Sequence, residues 1–399
     1  MEIPYYETDL GSPFVQRNPY PFYAEMRNHY PICRLTDGQV AITRSEDVIF
    51  ALKNPSIFSS KGIKIVSEAA WIEPECQRSM YILSQDAELH ASHRSLVNRE
   101  FVGDSIKKLI PFMRSETERF LDGIGSGSFE FVELFAYPYI RSIIGRLIVA
   151  DDIQTSDQIR QAIHVREKST PFDPPEDFKA SYHAVMEEQN DYLKNLIAER
   201  RKCPKDDVTT RLLNIRPNNA ALSDYELKSA LDLFLSAGFH TTAQVLASAM
   251  LYLSNLDDVF SLLKAQPDRI PDFIEELLRI DGPTHRLLRT VVSPVELNGH
   301  SLQPGEVCSV IVASANHDPA LFPDPDKFDI DRQNKKRHLE FGYGDHVCIG
   351  SLLARTEIRV ALEVILERYK KVECRIQHDV EWVSTVTTRG IRALNVQLS

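Results

Sequence analysis

Apolar residues recur at helical spacing from about Ala87 to Val149, and again through "HAVMEEQNDYLKNLIAERRK" before the polar break "CPKDD". The spacing predicts a chain whose middle is mostly helix. Ser223-Asp-Tyr-Glu226 has the form of a capping box, and the 31 residues "ELKSALDLFLSAGFHTTAQVLASAMLYLSNL" follow it in one run. At about 1.5 Å per residue that helix would span roughly 45 Å and cross an entire domain. Nearer the start, "NPYPFYAEMRNHYPICRL" reads as a short helix between prolines. "GQVAITRSEDVIFALKNP" reads as turn, strand and helix, with Ser45 as N-cap. The three prolines around Phe172 in "REKSTPFDPPEDFKA" cannot continue a helix and predict a loop. Further on come the helix "PDFIEELLRI", strand-like "RTVVSPVEL" and "VCSVIVASA", a helix from Ser351 to Tyr369, and a closing hairpin-like region with "TTRG" as its turn. The expected fold class is mainly α, with a small β region drawn from about 1–75, 285–335 and 375–399. No Gly/Ser or charged linker divides the chain, which predicts a single domain over 1–399.

Composition narrows the possibilities. With 399 residues, 43% hydrophobic and 26% charged, the chain is a globular one with a sizeable core. A formal charge of -11 argues against a dedicated nucleic-acid binder, which needs a concentrated basic surface. The start "MEIPYYETDLGSPF" lacks the basic and apolar regions of a signal peptide, which predicts cytoplasmic residence. Charged or polar residues interrupt every apolar stretch before it reaches the roughly 18 residues of a spanning helix, so no membrane anchor is expected. Six cysteines without a C-x-x-C pair disfavour a zinc site or a disulfide framework.

One of those cysteines stands apart. In "FGYGDHVCIG", Cys348 lies among Gly342, Gly344 and Gly350, just before a predicted helix. Glycines permit close backbone approach, and a helix N-terminus favours thiolate over thiol. Such a thiolate could be a nucleophile or a metal ligand; the only local base is His346, whose orientation toward the sulfur the spacing does not assure.

These ten residues match the heme-binding signature F-G-x-G-x-H-x-C-x-G of the cytochrome P450 family, and the chain resembles that family along nearly its whole length. "EELLR" resembles its E-x-x-R, placing Glu276 and Arg279 as a buried ion pair. "HASHR" resembles its H-x-x-x-R, so that His90 and Arg94, with Arg289 and His346, would meet the heme propionates. "SANHDPALFPDPDKFDIDR" fits the segment before the cysteine loop, with His317 where arginine is usual. The resemblance implies a heme b between the long central helix and the cysteine-loop helix, Cys348 as the iron ligand, and Phe341, Gly342, Gly350 and Ala237 among the residues around it. A thiolate ligand would favour O–O bond cleavage, with O2 as co-substrate.

On the oxygen side, "AGFHTT" resembles A-G-x-[DE]-T-T. Gly238 would let the helix open and Thr241 would hydrogen-bond bound dioxygen. His240 stands where the family has an acid. Three readings stay open for it: a proton relay, a packed helix residue, or a contact to an unusual substrate. Substrate contacts are expected from Phe172, Phe234, Thr284, His285, Arg286 and Thr387, with Arg286 available to an anionic group.

The resemblance implies a monooxygenase that hydroxylates or epoxidises a small organic molecule, free or tethered to a carrier. No flavin or iron–sulfur domain is fused, so electrons are expected from an external ferredoxin with its reductase, or from a flavodoxin. The basic run "RQNKKRH" is a candidate dock. A monomer is expected. Rival readings are oxidative coupling or ring formation, peroxide-driven oxidation, and a heme-binding sensor or carrier without turnover.

Overall fold

The computed structural model describes residues 2–64, 70–76, 82–125, 127–149, 161–162, 165, 174–215, 222–374, 382–384 and 387–399. Pro171, Phe172 and Asp173 lie outside them, while Pro174 and Pro175 directly precede the helix that opens at Glu176. The helices that matter below are α1 (Tyr20–His29), α2 (Ser45–Lys53), α3 (Ala87–Asn98), α4 (Ile110–Ile124), α5 (Tyr137–Val149), α6 (Glu176–Lys202), α7 (Asp224–Asn255), α8 (Ile270–Asp281) and α9 (Ser351–Arg368).

The capping box forms as its residues predict: Glu226 donates its backbone N–H to Ser223 Oγ at 3.2 Å, and Ser223 N–H reaches the Glu226 carboxylate at 2.7 Å. From there α7 runs for 32 residues and is buried on nearly every side between Leu227 and Leu253. A helix apolar all round belongs inside a protein. Accordingly α5, α6, α8 and α9 pack around it.

The β structure sits mostly to one side. A five-stranded sheet joins Ile32–Arg34 (β1), Val40–Ile42 (β2), Phe58–Ser59 (β3), Leu287–Val291 (β4) and Val307–Val310 (β5) in the order β1-β2-β5-β4-β3. Arg289 pairs with Cys308 in this sheet, which fixes where its side chain starts.

Four local expectations change. Gly127–Glu130, inside the stretch read as helical, is a strand paired with Asn395–Leu398. Positive φ at Gly125 (76°) and Gly127 (127°) breaks the helix before it. The "VCSVIVASA" strand ends at Val310, and Val312–Asn316 turns into a short helix. Arg389 and Gly390 of "TTRG" belong to a strand facing Trp382–Ser384. Ser45 opens α2 rather than capping it, and its N–H is taken by the Asp318 carboxylate at 2.7 Å.

Glu276 and Arg279 do pair, with no exposed side-chain surface on either. Arg279 spends all five N–H groups: two on Glu276, and one each on the carbonyls of Asn316, Pro325 and Lys327. Pro325 takes the second proton of Nη1, so nothing is left over. The neighbouring Glu275 turns to the other side, where His338 and Arg355 donate to it. Burial alone would raise the Glu275 pKa, but these two partners more than offset it and hold it at about 2.

Two outcomes follow from this framework. Arg279→Met leaves buried Glu276 with Arg332 as its remaining cation, removes the donors to the Asn316 and Pro325 carbonyls, and should cost about 3–5 kcal/mol in urea unfolding. Because the folded pKa of Glu275 lies below its free value of 4.5, its contribution is complete above that pH and is lost as pH falls toward about 2. Glu275→Gln should therefore be less stable than the parent at neutral pH, with the gap closing at the acid end of the window.

Candidate active site

A cavity of about 320 Å³ lies where α7, α9 and the sheet meet. Cys348, Phe341, Gly342 and Gly350 form one wall, and Ala237, Gly238 and Thr241 of α7 form another. Four cationic or ionisable side chains, His90, Arg94, Arg289 and His346, line it as well. Phe234 and Thr284 complete the predicted residues that it gathers.

The cysteine loop owes its shape to two glycines at positive φ, Gly342 (72°) and Gly344 (75°). A Cβ at Gly344 would sit 2.7 Å from the Leu52 carbonyl, so the loop can press against α2 only with glycine there. Cys348 N–H closes the loop on the Phe341 carbonyl at 2.7 Å. Two features of the loop act in the expected direction, toward thiolate, against a larger opposing one. Burial pushes the Cys348 pKa up, while the Gly350 N–H and the Arg94 guanidinium pull the other way without winning. Behind the loop Arg355 lies 4.3 Å from the centre of the Phe341 ring.

The cationic residues form a chain. His90 and His346 lie ring to ring at 3.9 Å, and His346 Nε2 is 3.8 Å from Asp86. Arg94 donates to the Val347 carbonyl at 2.5 Å, and Arg289 to the carbonyl of Leu288 at 2.8 Å. Burial lowers the Arg289 pKa to about 10, with only Asp86 pulling back, and lowers His90 to about 4, helped by the nearby His346 and Arg94. The buried Nε2 atoms of His90 and His346 have no hydrogen-bond partner among the described residues. Positive charge exceeds negative charge here, and the site suits an anionic ligand edge.

On α7, Thr241 Oγ donates to the Ala237 carbonyl at 3.1 Å. The helix continues unbroken through Gly238, and Ile144 of α5 would lie 3.3 Å from a Cβ at that position. The glycine thus serves close helix packing.

Several predicted residues stand elsewhere. His240 does not line the cavity; its Nδ1 lies 2.9 Å from the Tyr137 hydroxyl. His285 and Arg286 also face away, buried against Tyr23 of α1, with His285 Nδ1 3.1 Å from its hydroxyl. Strand geometry explains the miss: the backbone N–H groups of both residues bond the Thr387 carbonyl, which holds this segment against the closing strands. Thr387 contributes that carbonyl and no cavity wall. Of the run Arg332 to His338, Arg332, Lys335 and His338 are buried and committed to Glu276, Asp272 and Glu275. Lys336 and Arg337 remain exposed.

The sequence reading missed three acids. Asp86 precedes α3, where an N-cap acid is expected, but its carboxylate instead accepts from Ser59 Oγ and Ser60 N–H and faces His346. Burial would raise its pKa, yet the nearby His346 ring and the hydrogen bonds from these serine groups bring it to about 2. Glu340 and Glu357 line the cavity fully buried, and burial drives both pKa values well above the carboxylate range. No local pattern distinguishes them from surface glutamates.

Known proteins share this architecture. The Bacillus subtilis protein named polyketide biosynthesis cytochrome P450 PksS is 30% identical across 96% of each chain, and its solved structure superposes with a TM-score of 0.87 over 97% of this chain and 99% of that one, at 29% identity. A steroid C26-monooxygenase of Mycobacterium tuberculosis is 29% identical over 92% of this chain and 90% of its own. The structure of cytochrome P450 CYP109Q5 from Chondromyces apiculatus gives a TM-score of 0.89 at 27% identity, covering 98% of both chains. The family Cytochrome P450 itself matches over residues 10–384, and with the buried E-x-x-R pair and the cavity between the cysteine loop and α7, the chain belongs to that family of heme-iron monooxygenases.

Proposed function

We propose that the chain uses heme b, with Cys348 as the iron ligand, to insert one oxygen atom from O2 into an apolar small molecule. One observation carries this reading: a single cavity gathers Cys348, the cationic chain and the Thr241 turn of α7. Heme fits the residues present. Its carboxylates suit the under-compensated Arg94 and Arg289 and the orphaned imidazole nitrogens of His90 and His346. Its flat apolar body suits walls such as Val245, Leu278, Leu287 and Leu353.

A bound heme-thiolate supplies oxygen activation. The chain supplies the rest. Arg94 and Arg289 would neutralise the acidic edge, and the rings of His90 and His346 would help to orient it. Thr241 offers a hydroxyl on the α7 wall, and the Ala237–Gly238 backbone leaves room above it.

Substrate chemistry follows from the remaining wall. Ile82, Leu83, Phe101, Leu147, Leu233 and Phe234 are apolar, and Arg286 is turned away. An apolar substrate with few polar groups suits this space better than an anion. The named activities of the relatives, on polyketide and steroid chemistry, agree in kind.

Electrons must reach the cysteine loop from its outer side. Tyr343 and Leu352 are exposed there at 37% and 42%, with Lys53 5.2 Å from the Tyr343 ring centre. Lys336 and Arg337 add exposed positive charge. This face suits an acidic ferredoxin or flavodoxin. Among the described residues no helix is long and apolar enough to cross a membrane.

The dithionite-reduced, CO-bound protein should show a strongly red-shifted Soret band that Cys348→Ser abolishes. A band at the position of histidine-ligated heme in the parent protein would defeat the assignment. Arg289→Leu should reduce heme retained per chain on dialysis against apomyoglobin, by about tenfold if one charge-assisted bond of 1.5 kcal/mol or so is lost. Equal retention would remove Arg289 from the acidic edge.

A further inference from the structure

The chain enters the cysteine loop through His338, Leu339 and Glu340, all buried and in neither helix nor strand. Backbone N–H groups in such a segment have no ladder to join and need other acceptors. Leu339 N–H finds the Asn316 side-chain oxygen at 2.7 Å, and Glu340 N–H finds Nδ1 of His338, two residues back, at 3.2 Å. The other ring nitrogen, Nε2, lies 3.2 Å from the Glu275 carboxylate of α8.

Those two ring contacts locate the proton. A backbone N–H can only donate, so Nδ1 must keep its lone pair. A neutral imidazole then carries its hydrogen on Nε2, where Glu275 accepts it. The surroundings of the ring favour that neutral form. Burial lowers the His338 pKa, Arg355 of α9 and Arg279 of α8 act in the same direction, and Glu275 opposes them without prevailing. With its own pKa at about 2, Glu275 stays ionised across the range in which a histidine titrates.

We propose that His338 is a positioning residue that latches the cysteine loop as its neutral Nε2–H tautomer, and that a proton added at Nδ1 releases the latch. That proton would set one N–H against another. Because Glu275 still holds Nε2, the ring has no way to turn aside, and the Glu340 backbone gives instead. The next residue, Phe341, supplies the carbonyl on which Cys348 N–H closes the loop at 2.7 Å, so the displacement reaches the sulfur. The folded pKa lies below the free value of 6.5, so the latch is complete above that pH and is lost as pH falls through the folded value. The latch bears on catalysis only with Cys348 as the heme ligand, the reading on which it rests.

Nitrogen NMR of histidine-labelled protein in the diamagnetic ferrous CO form reads the ring directly. The His338 signal is identified by scalar coupling across the hydrogen bond from the Glu340 amide and by its loss in His338→Asn. At neutral pH the expected spectrum has a bare Nδ1 and a protonated Nε2. On acidification, protonation of Nδ1 should coincide with loss of the red-shifted CO band. In His338→Asn the side-chain oxygen can take the same N–H in an Asx-type turn but cannot titrate. That variant should keep the band at neutral pH and hold it to about one pH unit or more below the parent. A protonated Nδ1 at neutral pH overturns the proposal. So does loss of the band while Nδ1 is still bare, or a His338→Asn protein that loses the band at the same pH as the parent. A parent protein that never shows the thiolate band defeats the heme-ligand reading by itself, while the tautomer is still read from the nitrogen spectrum and a protonated Nδ1 there still overturns the latch.

Discussion

A guanidinium with no exposed surface is tolerable only when every N–H has an acceptor, and Arg279 meets that condition by binding three separate carbonyls as well as Glu276. The pair therefore does more than balance charge. It pins the segment from Asn316 to Lys327 to α8, and Glu276 extends the grip by accepting from Asp329 N–H and from Arg332, each at 3.0 Å. His317 adds to it, bridging Asp326 and the Ile280 carbonyl. That segment leads directly into the cysteine loop, and Glu275 secures the loop itself through His338 and Arg355. Adjacent carboxylates on one helix thus fix the position of Cys348 from behind. Buried ion pairs are weak contributors to net stability but strong constraints on geometry once formed. Here geometry is what the sulfur needs.

The cavity in front of Cys348 imposes the opposite kind of demand. Its walls are mostly apolar, and a site of about 320 Å³ of that character favours an apolar occupant. The cationic chain adds a second demand, since burial lowers both Arg94 and Arg289 and leaves two imidazole nitrogens without partners. A flat apolar group with acidic substituents answers both demands together. The features that suit the site to heme chemistry are the same ones that make the fold want heme for its own stability.

Much of this was legible in the residues. The capping box, the long α7 and the E-x-x-R pair all stand where the pattern puts them, because each depends on contacts within a few positions of sequence. The cysteine signature was legible for another reason: its glycines meet a backbone requirement that other residues cannot. What pattern could not show was orientation across segments. His285 and Arg286 were read as substrate contacts, yet backbone bonds to Thr387 turn both toward Tyr23. The run from Arg332 to His338 was read as a candidate dock, and three of its cations are buried against acids of α8. A charge in sequence carries no sign of whether its partner is water or a carboxylate more than fifty residues away. Gly127–Glu130 was lost inside an apolar rhythm that its glycines interrupt.

His240 shows how far helix geometry alone can be pushed. Residues 234, 237, 238, 241 and 245 follow the i, i+3, i+4 spacing of a single face, and all of them line the cavity. Residue 240 falls off that stripe by about 100° from its neighbour 241, so a side chain there faces a neighbouring helix. What the position can contribute is then decided by that helix. A carboxylate facing the Tyr137 hydroxyl could only accept from it. An imidazole can accept from that hydroxyl or donate to it, according to which nitrogen carries the proton. Histidine at this point therefore keeps a polar link between α7 and α5 beside Thr241, with the Tyr137 hydroxyl as its partner.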